Sequence, residues 1–294
     1  MNKLSTTERA QILTSLVEGN SIAPTCRMFG VNKITVLRLL ADAGTLAAQY
    51  HDRTVYDLAT TRVQVDEIWS FCFAKNDNVN PKNYRKGHRD CWTWVAIDAD
   101  SKLVINWIVG NRNSGDPNLF VADLADHLSD RVQLTSDGLN MYRQAVNKAF
   151  GTEVDYAMLV KQYGAPRVEA RYSPAEVVSV EREEVCGAPE PRHISTSHIE
   201  RQNLTMRMSM RRFIRLTNGF SKKIENHKHA VALHYFHCNF LRVHHTTKTT
   251  PAMAAGIADK EWTMVDFVKM REKEELISGG RLTNYKPNPK KRYV

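Results

Sequence analysis

Three β-prone segments in a row, followed by helix and strand in alternation, leave this chain few folds to adopt. Residues 62–74 are rich in β-branched and aromatic side chains, and two more strand candidates, 91–98 and 103–110, follow with a short turn at 99–102 between them. Residues 114–128 then place Leu119, Phe120, Leu124 and Leu128 at helical spacing. A short strand is expected at 132–135, a helix at 139–150 and another short strand at 154–156. Residues 164–196 break this rhythm. They are rich in Pro and Gly, hold a short β-prone piece at 176–185, and read as an insertion. Two helices are expected next, at about 197–215 and 221–243. The order βββαβαβ…α is that of a mixed α/β, ribonuclease H-like fold, a mixed sheet with helices on both faces.

Ahead of the sheet, the first 45 residues read as three short helices. Ser5 can cap the first, with Glu8 as its capping-box partner, before Ala10, Leu13, Leu16 and Val17 form an apolar stripe. The second, over 21–29, carries Ile22, Cys26 and Phe29 inward and tolerates Pro24 in its first turn. After a Gly30-Val31 turn, Asn32 can cap a third helix with Val36, Leu37 and Leu40 inward. Helix, glycine turn, helix is the helix-turn-helix pattern, whose second member would offer Asn32, Lys33, Thr35 and Arg38 to a major groove. A three-helix bundle used for dimerisation is the alternative. The expected organisation is a helix-turn-helix head at 1–46, a linker at 47–61, the ribonuclease H-like domain at 62–243, and a C-terminal segment with a basic tail at 244–294.

Charge and cysteine usage narrow the class. The chain has 41 Lys and Arg against 32 Asp and Glu, a net charge of +9 that suits a polyanionic partner. No apolar run approaches membrane-spanning length, and the first residues lack an apolar signal core, so a cytoplasmic protein is expected. Cys26, Cys72, Cys91, Cys186 and Cys238 form no CxxC pair, which points to neither a disulfide framework nor a zinc finger. His234 and His237 share a helix face but have no third ligand evident nearby in sequence.

Three acids stand out by context. Asp66 lies inside the apolar strand Val63–Trp69, where an ionised carboxylate is costly unless something compensates it. Asp137 ends the fourth strand before Gly138, and Glu200 lies in the first turn of a helix. In the proposed fold strands one and four are neighbours and that helix packs beside them, so the three carboxylates converge. Such a set can hold two magnesium ions, with manganese as a substitute, for phosphodiester cleavage. Each acid has a plainer reading. Glu200 can complete a capping box with Ser197, Asp137 can be a turn residue, and Glu67 rivals Asp66, although strand alternation puts the two on opposite faces.

The helix carrying Glu200 is strongly basic. From Glu200 to Lys223 basic residues outnumber acids seven to one, and Arg207 and Arg211 follow Glu200 along one face, a ridge suited to a phosphate backbone. His193 and His198 lie close enough in sequence to Glu200 to touch a substrate.

At these residues the chain resembles the DDE transposases of bacterial insertion sequences, closest to the group around insertion sequence one. The likeness is carried by Val65-Asp66-Glu67-Ile68-Trp69, by Thr135-Ser136-Asp137-Gly138 and, most specifically, by Ser195-Thr196-Ser197-His198-Ile199-Glu200-Arg201-Gln202-Asn203. Asn218–Lys223 and Thr250–Ala255 also match, so the resemblance covers about residues 60–255. It implies Asp66, Asp137 and Glu200 as a metal-binding catalytic triad, and Arg207 as a DNA contact near the cleaved phosphate. Family members often carry a cysteine zinc finger before the helix-turn-helix; here Cys26 is the only cysteine in the first 70 residues. The resulting expectation is a nucleoid-associated transposase that binds double-stranded DNA at the inverted repeats of its element. It would cleave 3′ ends by two-metal hydrolysis and join them to target DNA by transesterification, as at least a homodimer. A catalytically silent DNA-binding regulator and another ribonuclease H-like nuclease are the alternatives.

Overall fold

Local signals set the head. In the computed structural model, which describes residues 4–79, 82, 89–113, 115–164, 176–214 and 218–277, Ser5 caps helix α1 (Thr6–Val17) in a complete capping box with Glu8. Helix α2 (Ile22–Phe29) stops at Gly30, whose φ of 61° is left-handed and favours glycine. Asn32 then caps α3 (Lys33–Thr54), accepting the Ile34 N–H at 2.8 Å. The expected linker at 47–61 is helical as far as Thr54. Buried Leu39, Ala43, Leu46, Ala47 and His51 carry the apolar stripe straight on, and no proline interrupts it. Arg85, Lys86, Ser114, Arg215 and the basic tail lie outside the described residues.

Beyond the head come β1 (Arg62–Cys72), β2 (Arg89–Asp98), β3 (Val104–Gly110), α4 (Gly115–His127), β4 (Val132–Asp137), α5 (Met141–Phe150), β5 (Val154–Tyr163) and β6 (Val177–Cys186). Helices α6 (Ser197–Ser209), α7 (Ile224–Phe236), α8 (Pro251–Ala254) and α9 (Met264–Ile277) follow, with a π-helical turn, His237–Leu241, extending α7. Among the described residues the strands form one sheet in the order β3-β2-β1-β4-β5-β6. β1 is antiparallel to β2 and parallel to β4. This is the mixed α/β, ribonuclease H-like arrangement that the element order predicts. Two strands differ from expectation: β5 runs to Tyr163, and the β-prone piece of the insertion is β6, paired antiparallel to β5.

Helices cover both faces. On one, Trp94 packs against Phe120 of α4 and Tyr142 of α5. On the other, Trp107 meets His51 of α3 and Tyr235 of α7. Val231, Leu233, Tyr235, Phe236, Phe240 and Phe267, together with Trp262, read as surface for a subunit interface in the sequence. The first six are buried within the chain, where Phe236 contacts Phe240, Trp262 and Phe267. The C-terminal α9 returns to the head: Arg271 meets Asp42 of α3 at 2.8 Å in a buried ion pair, and Arg9 of α1 meets Glu272 at 3.0 Å. Among the described residues no helix is long and apolar enough to cross a membrane.

Helices α3 and α7 touch closely at Gly44, where an added Cβ would lie 2.5 Å from the backbone of His229. Alanine gains up to about 1 kcal/mol over glycine in a helix interior. Overpacking against backbone costs about 1–3 kcal/mol. The clash therefore wins, and Gly44→Ala is expected to lower the unfolding free energy in a denaturant titration. A more stable variant would mean the helices separate at no cost.

Candidate functional site

The site begins where a strand pairing stops. β1 pairs with β4 only from Arg62–Gln133 to Gln64–Thr135. Beyond that, β1 continues alongside β2 as far as Cys72, and β4 alongside β5 as far as Asp137. The two central strands part, and the carboxylates of β1 and β4 border the gap.

Helix α6 is docked onto this gap by two side chains of β1. The first turn of a helix leaves backbone N–H groups without helical acceptors. The buried Gln64 supplies one: its Oε1 accepts from the N–H groups of His198 and Ile199 at 2.9 and 3.1 Å. One turn further, Asn203 Nδ2 donates to Asp66 Oδ2 at 2.8 Å. Ile199 and Met206 bury the apolar side of the helix.

Carboxylate oxygens of Asp66, Glu67 and Asp137 come within 4.8 Å of one another. Asp66 Oδ1 also accepts the Glu67 N–H at 2.8 Å. Desolvation, reinforced by Asp137, pushes Asp66 up to about 7 and Glu67 up to about 8. Burial likewise raises Asp137. Glu67 is held by Arg112 at 3.0 Å, whose guanidinium lies 4.7 Å from the ring centre of Trp92. Tyr142 donates to Glu67 at 3.4 Å.

Glu200 faces the same open cavity, of about 620 Å³, but its carboxylate engages Lys161 and the Thr196 hydroxyl rather than the three-acid cluster. The capping box with Ser197 does not form, because the N-cap is Thr196. Of the sequence-derived residues, then, Asp66 and Asp137 converge, and Glu200 and Arg207 line the cavity beside them. Glu67 takes the third place in the cluster. Strand alternation does put the two on opposite faces, Asp66 toward Asn203 and Glu67 toward Tyr142, but the gap at the end of β4 lets both reach Asp137. Arg211 departs from expectation. Helix α6 ends at Ser209, so Arg211 starts a separate turn, Arg211–Phe213, and lines a second cavity with Lys33, Lys222 and Lys223. Thr35 is half-buried and Arg38 exposed. His193 pairs with Glu190, and His198 lies 3.4 Å from Lys102. Lys161 and Arg112 carried no distinctive sequence signal, and Asn203 stood only as the last residue of the segment that carries the resemblance.

A cluster of hard oxygen donors whose protons are held toward neutral pH fits a divalent cation such as magnesium or manganese. Asp66, Glu67 and Asp137 could hold one directly, and Glu200 could join once released from Lys161.

No family profile matches the sequence, and no curated protein matches it either. Among solved structures the chain is similar to a piggyBac transposase synaptic complex with hairpin DNA, at 10% identity and a TM-score of 0.43, over 90% of this chain and 69% of that one. It is also similar to a pre-cleavage Mos1 transpososome, at 9% identity and a TM-score of 0.31, over 97% of this chain and 82% of that one. A Mos1 paired-end complex with the left transposon end matches at 13% identity and a TM-score of 0.21, over 50% of this chain and 58% of that one.

The raised carboxyls set a pH dependence. Asp66 and Glu67 keep their protons to about pH 7 and 8 when folded, whereas an unfolded chain releases them near pH 4. The folded state therefore binds more protons in that window, and this part of the stability is lost as pH rises from about 4 to about 8. In EDTA, the melting temperature of the native chain relative to an Asp66→Asn, Glu67→Gln double variant should fall across the window. Magnesium should restore more of it at pH 8 than at pH 5. A difference that stayed flat with pH would remove the acid cluster as the cause.

Proposed function

We propose that this chain is a DNA transposase of the DDE type, with Asp66, Asp137 and Glu200 as its catalytic acids and magnesium as its cofactor. The observation that carries the reading is the crowding of Asp66, Glu67 and Asp137 at the parting of β1 and β4, in a cavity also lined by Glu200 and Arg207. Divalent cations held there would supply Lewis acidity toward a scissile phosphate and lower the pKa of an attacking water. Asn203 fixes the rotamer of Asp66, and Arg112 that of Glu67. Arg207, at the cavity wall, would contact the backbone phosphate beside the cut.

DNA reaches the site from the head. Lys33 and Arg38 lie exposed on the first turns of α3. Lys33 shares a cavity with Arg211, Lys222 and Lys223, so the positive charge continues from the head toward the end of α6. The substrates are the element's terminal repeats and the target duplex, and two ends cut in concert call for at least two copies of the chain on DNA. A silent regulator would have no use for a crowded acid cluster. Another nuclease of this fold would cut without joining, so a strand-transfer assay separates all three.

With element-end duplexes in magnesium, Asp66→Ala, Asp137→Ala and Glu200→Ala should each lose nearly all cleavage and joining while still binding the ends in a gel shift. Asn203→Ala, which removes only an orienting hydrogen bond, should cost about 10–100-fold. Near-normal cleavage by Glu200→Ala would transfer its role to Glu67.

Lys33→Ala combined with Arg38→Ala should weaken end binding and flatten its salt dependence, by about 0.9 in the log–log slope for each phosphate that the head no longer neutralises. Unchanged affinity would return the head to a dimerisation role.

A further inference from the structure

The five cysteines are scattered in sequence, yet the fold brings two of them to one histidine. Cys72 is the last residue of β1 and Cys91 lies in β2, diagonally across the antiparallel ladder in which Ser70 faces Cys91. Their sulfurs are 3.8 Å apart. His227, in the first turn of α7, completes the group: one ligand atom from each of the three residues lies within 4.8 Å of the others, and all three side chains are buried. The cluster is separate from the acidic cavity and independent of the reading given for it.

We propose that Cys72, Cys91 and His227 form a binding site for a soft d¹⁰ cation, zinc(II) or copper(I), that joins β1 and β2 to α7. Two thiolates at tetrahedral positions about 2.3 Å from one metal are about 3.8 Å apart, the spacing seen here. A disulfide requires about 2.05 Å, so the sulfurs would have to close almost half their separation. Thiolate and imidazole are the ligands that select zinc and copper(I) over the hard cations suited to the acidic cluster.

The surroundings orient the imidazole for this task. Ser221 Oγ accepts from Arg212 Nη1 at 2.7 Å and lies 2.9 Å from His227 Nδ1. With Nδ1–H donating to Ser221, the Nε2 lone pair is left facing the sulfurs, the arrangement of a metal-bound histidine with a supporting partner. Ser70 Oγ lies 3.1 Å from Nε2 and 3.0 Å from Cys91 Sγ, where it can serve as a fourth donor to zinc; copper(I) needs only the three. Binding releases the two thiol protons to solvent and forms two metal–sulfur bonds and one metal–nitrogen bond, with no change of oxidation state.

The full chain is purified under reducing conditions, stripped of metal, and loaded with zinc, copper(I) or, as a spectroscopic stand-in, cobalt(II). The expected result is one tightly retained zinc or copper per chain after gel filtration, and a thiolate-to-cobalt charge-transfer band. Both persist in an Asp66→Ala, Asp137→Ala variant and are lost in Cys72→Ser, Cys91→Ser. Retention of zinc or of copper supports the site and identifies the cation. Absence of the charge-transfer band in the native chain, or a Cys72–Cys91 disulfide found by mass spectrometry in protein isolated without reductant, overturns it. Both of those measurements use the native chain, so a cysteine variant that fails to fold leaves the test intact.

Discussion

Everything at the site depends on the point where β1 leaves β4. Three paired positions hold the two parallel strands together, and beyond Gln64 and Thr135 they part. β1 keeps its register with β2 through this stretch, so Asp66 and Glu67 stay on opposite faces, Asp66 toward Asn203 of α6 and Glu67 toward Tyr142 of α5. The parting opens a gap at the end of β4 that both acids border, so their carboxylates come within 4.8 Å of that of Asp137. Gln64, the last paired residue of β1, and Asp66, just beyond it, accept hydrogen bonds from α6 through their side chains. These two residues beside the gap thus seat the helix that brings Glu200 and Arg207 to it.

A second constraint joins the head to the sheet. Because α3 is unbroken from Lys33 to Thr54, its first turn is the exposed end of a rod whose second half lies in the core. Gly44 lets α7 approach, and the buried Asp42–Arg271 pair fastens α9 to the same stretch. Removing one partner of this buried pair would cost about 3–5 kcal/mol, because it would leave the other charge uncompensated. At the exposed end of this rod Lys33 lines a cavity together with Arg211, Lys222 and Lys223.

The sequence made the elements legible wherever one local rule decided them. Ser5, Gly30 and Asn32 end or begin helices by capping chemistry alone, and the strand order followed from β-rich runs and their connections. Asp66 and Asp137 were visible as acids where a strand should bury apolar groups. What could not be read depended on tertiary geometry. A helix that runs on into the expected linker as far as Thr54 packs against α7 and α9, which are remote in sequence. Glu67 joined the cluster because of a strand parting that alternation does not encode. Arg211 left its helical face because α6 ends at Ser209, and the apolar run after it, Met210 and Phe213, turns inward instead of continuing the helix. Gln64 is an ordinary polar residue until the fold supplies its partners.

The electrostatics of the cavity then say what kind of ligand it wants. Two unit charges 4.8 Å apart repel by about 3 kcal/mol at an effective dielectric constant of 20, and three crowded carboxylates contain three such pairs. Neighbouring cations answer only part of this. Arg112 pairs with Glu67, and Lys161 pairs with Glu200. Asp66 is held by the amide of Asn203 and the N–H of Glu67, and Asp137 by the N–H of Leu139, all of them neutral donors. Neutral dipoles orient a carboxylate but do not cancel its charge, so the pair at the centre must take up either a proton or a cation. The proton is the weaker solution, because it neutralises one oxygen and leaves the second acid facing the first. A divalent ion held by Asp66 and Asp137 would answer both charges, and it would have to displace the protons that burial first, and the neighbouring acids second, keep on them.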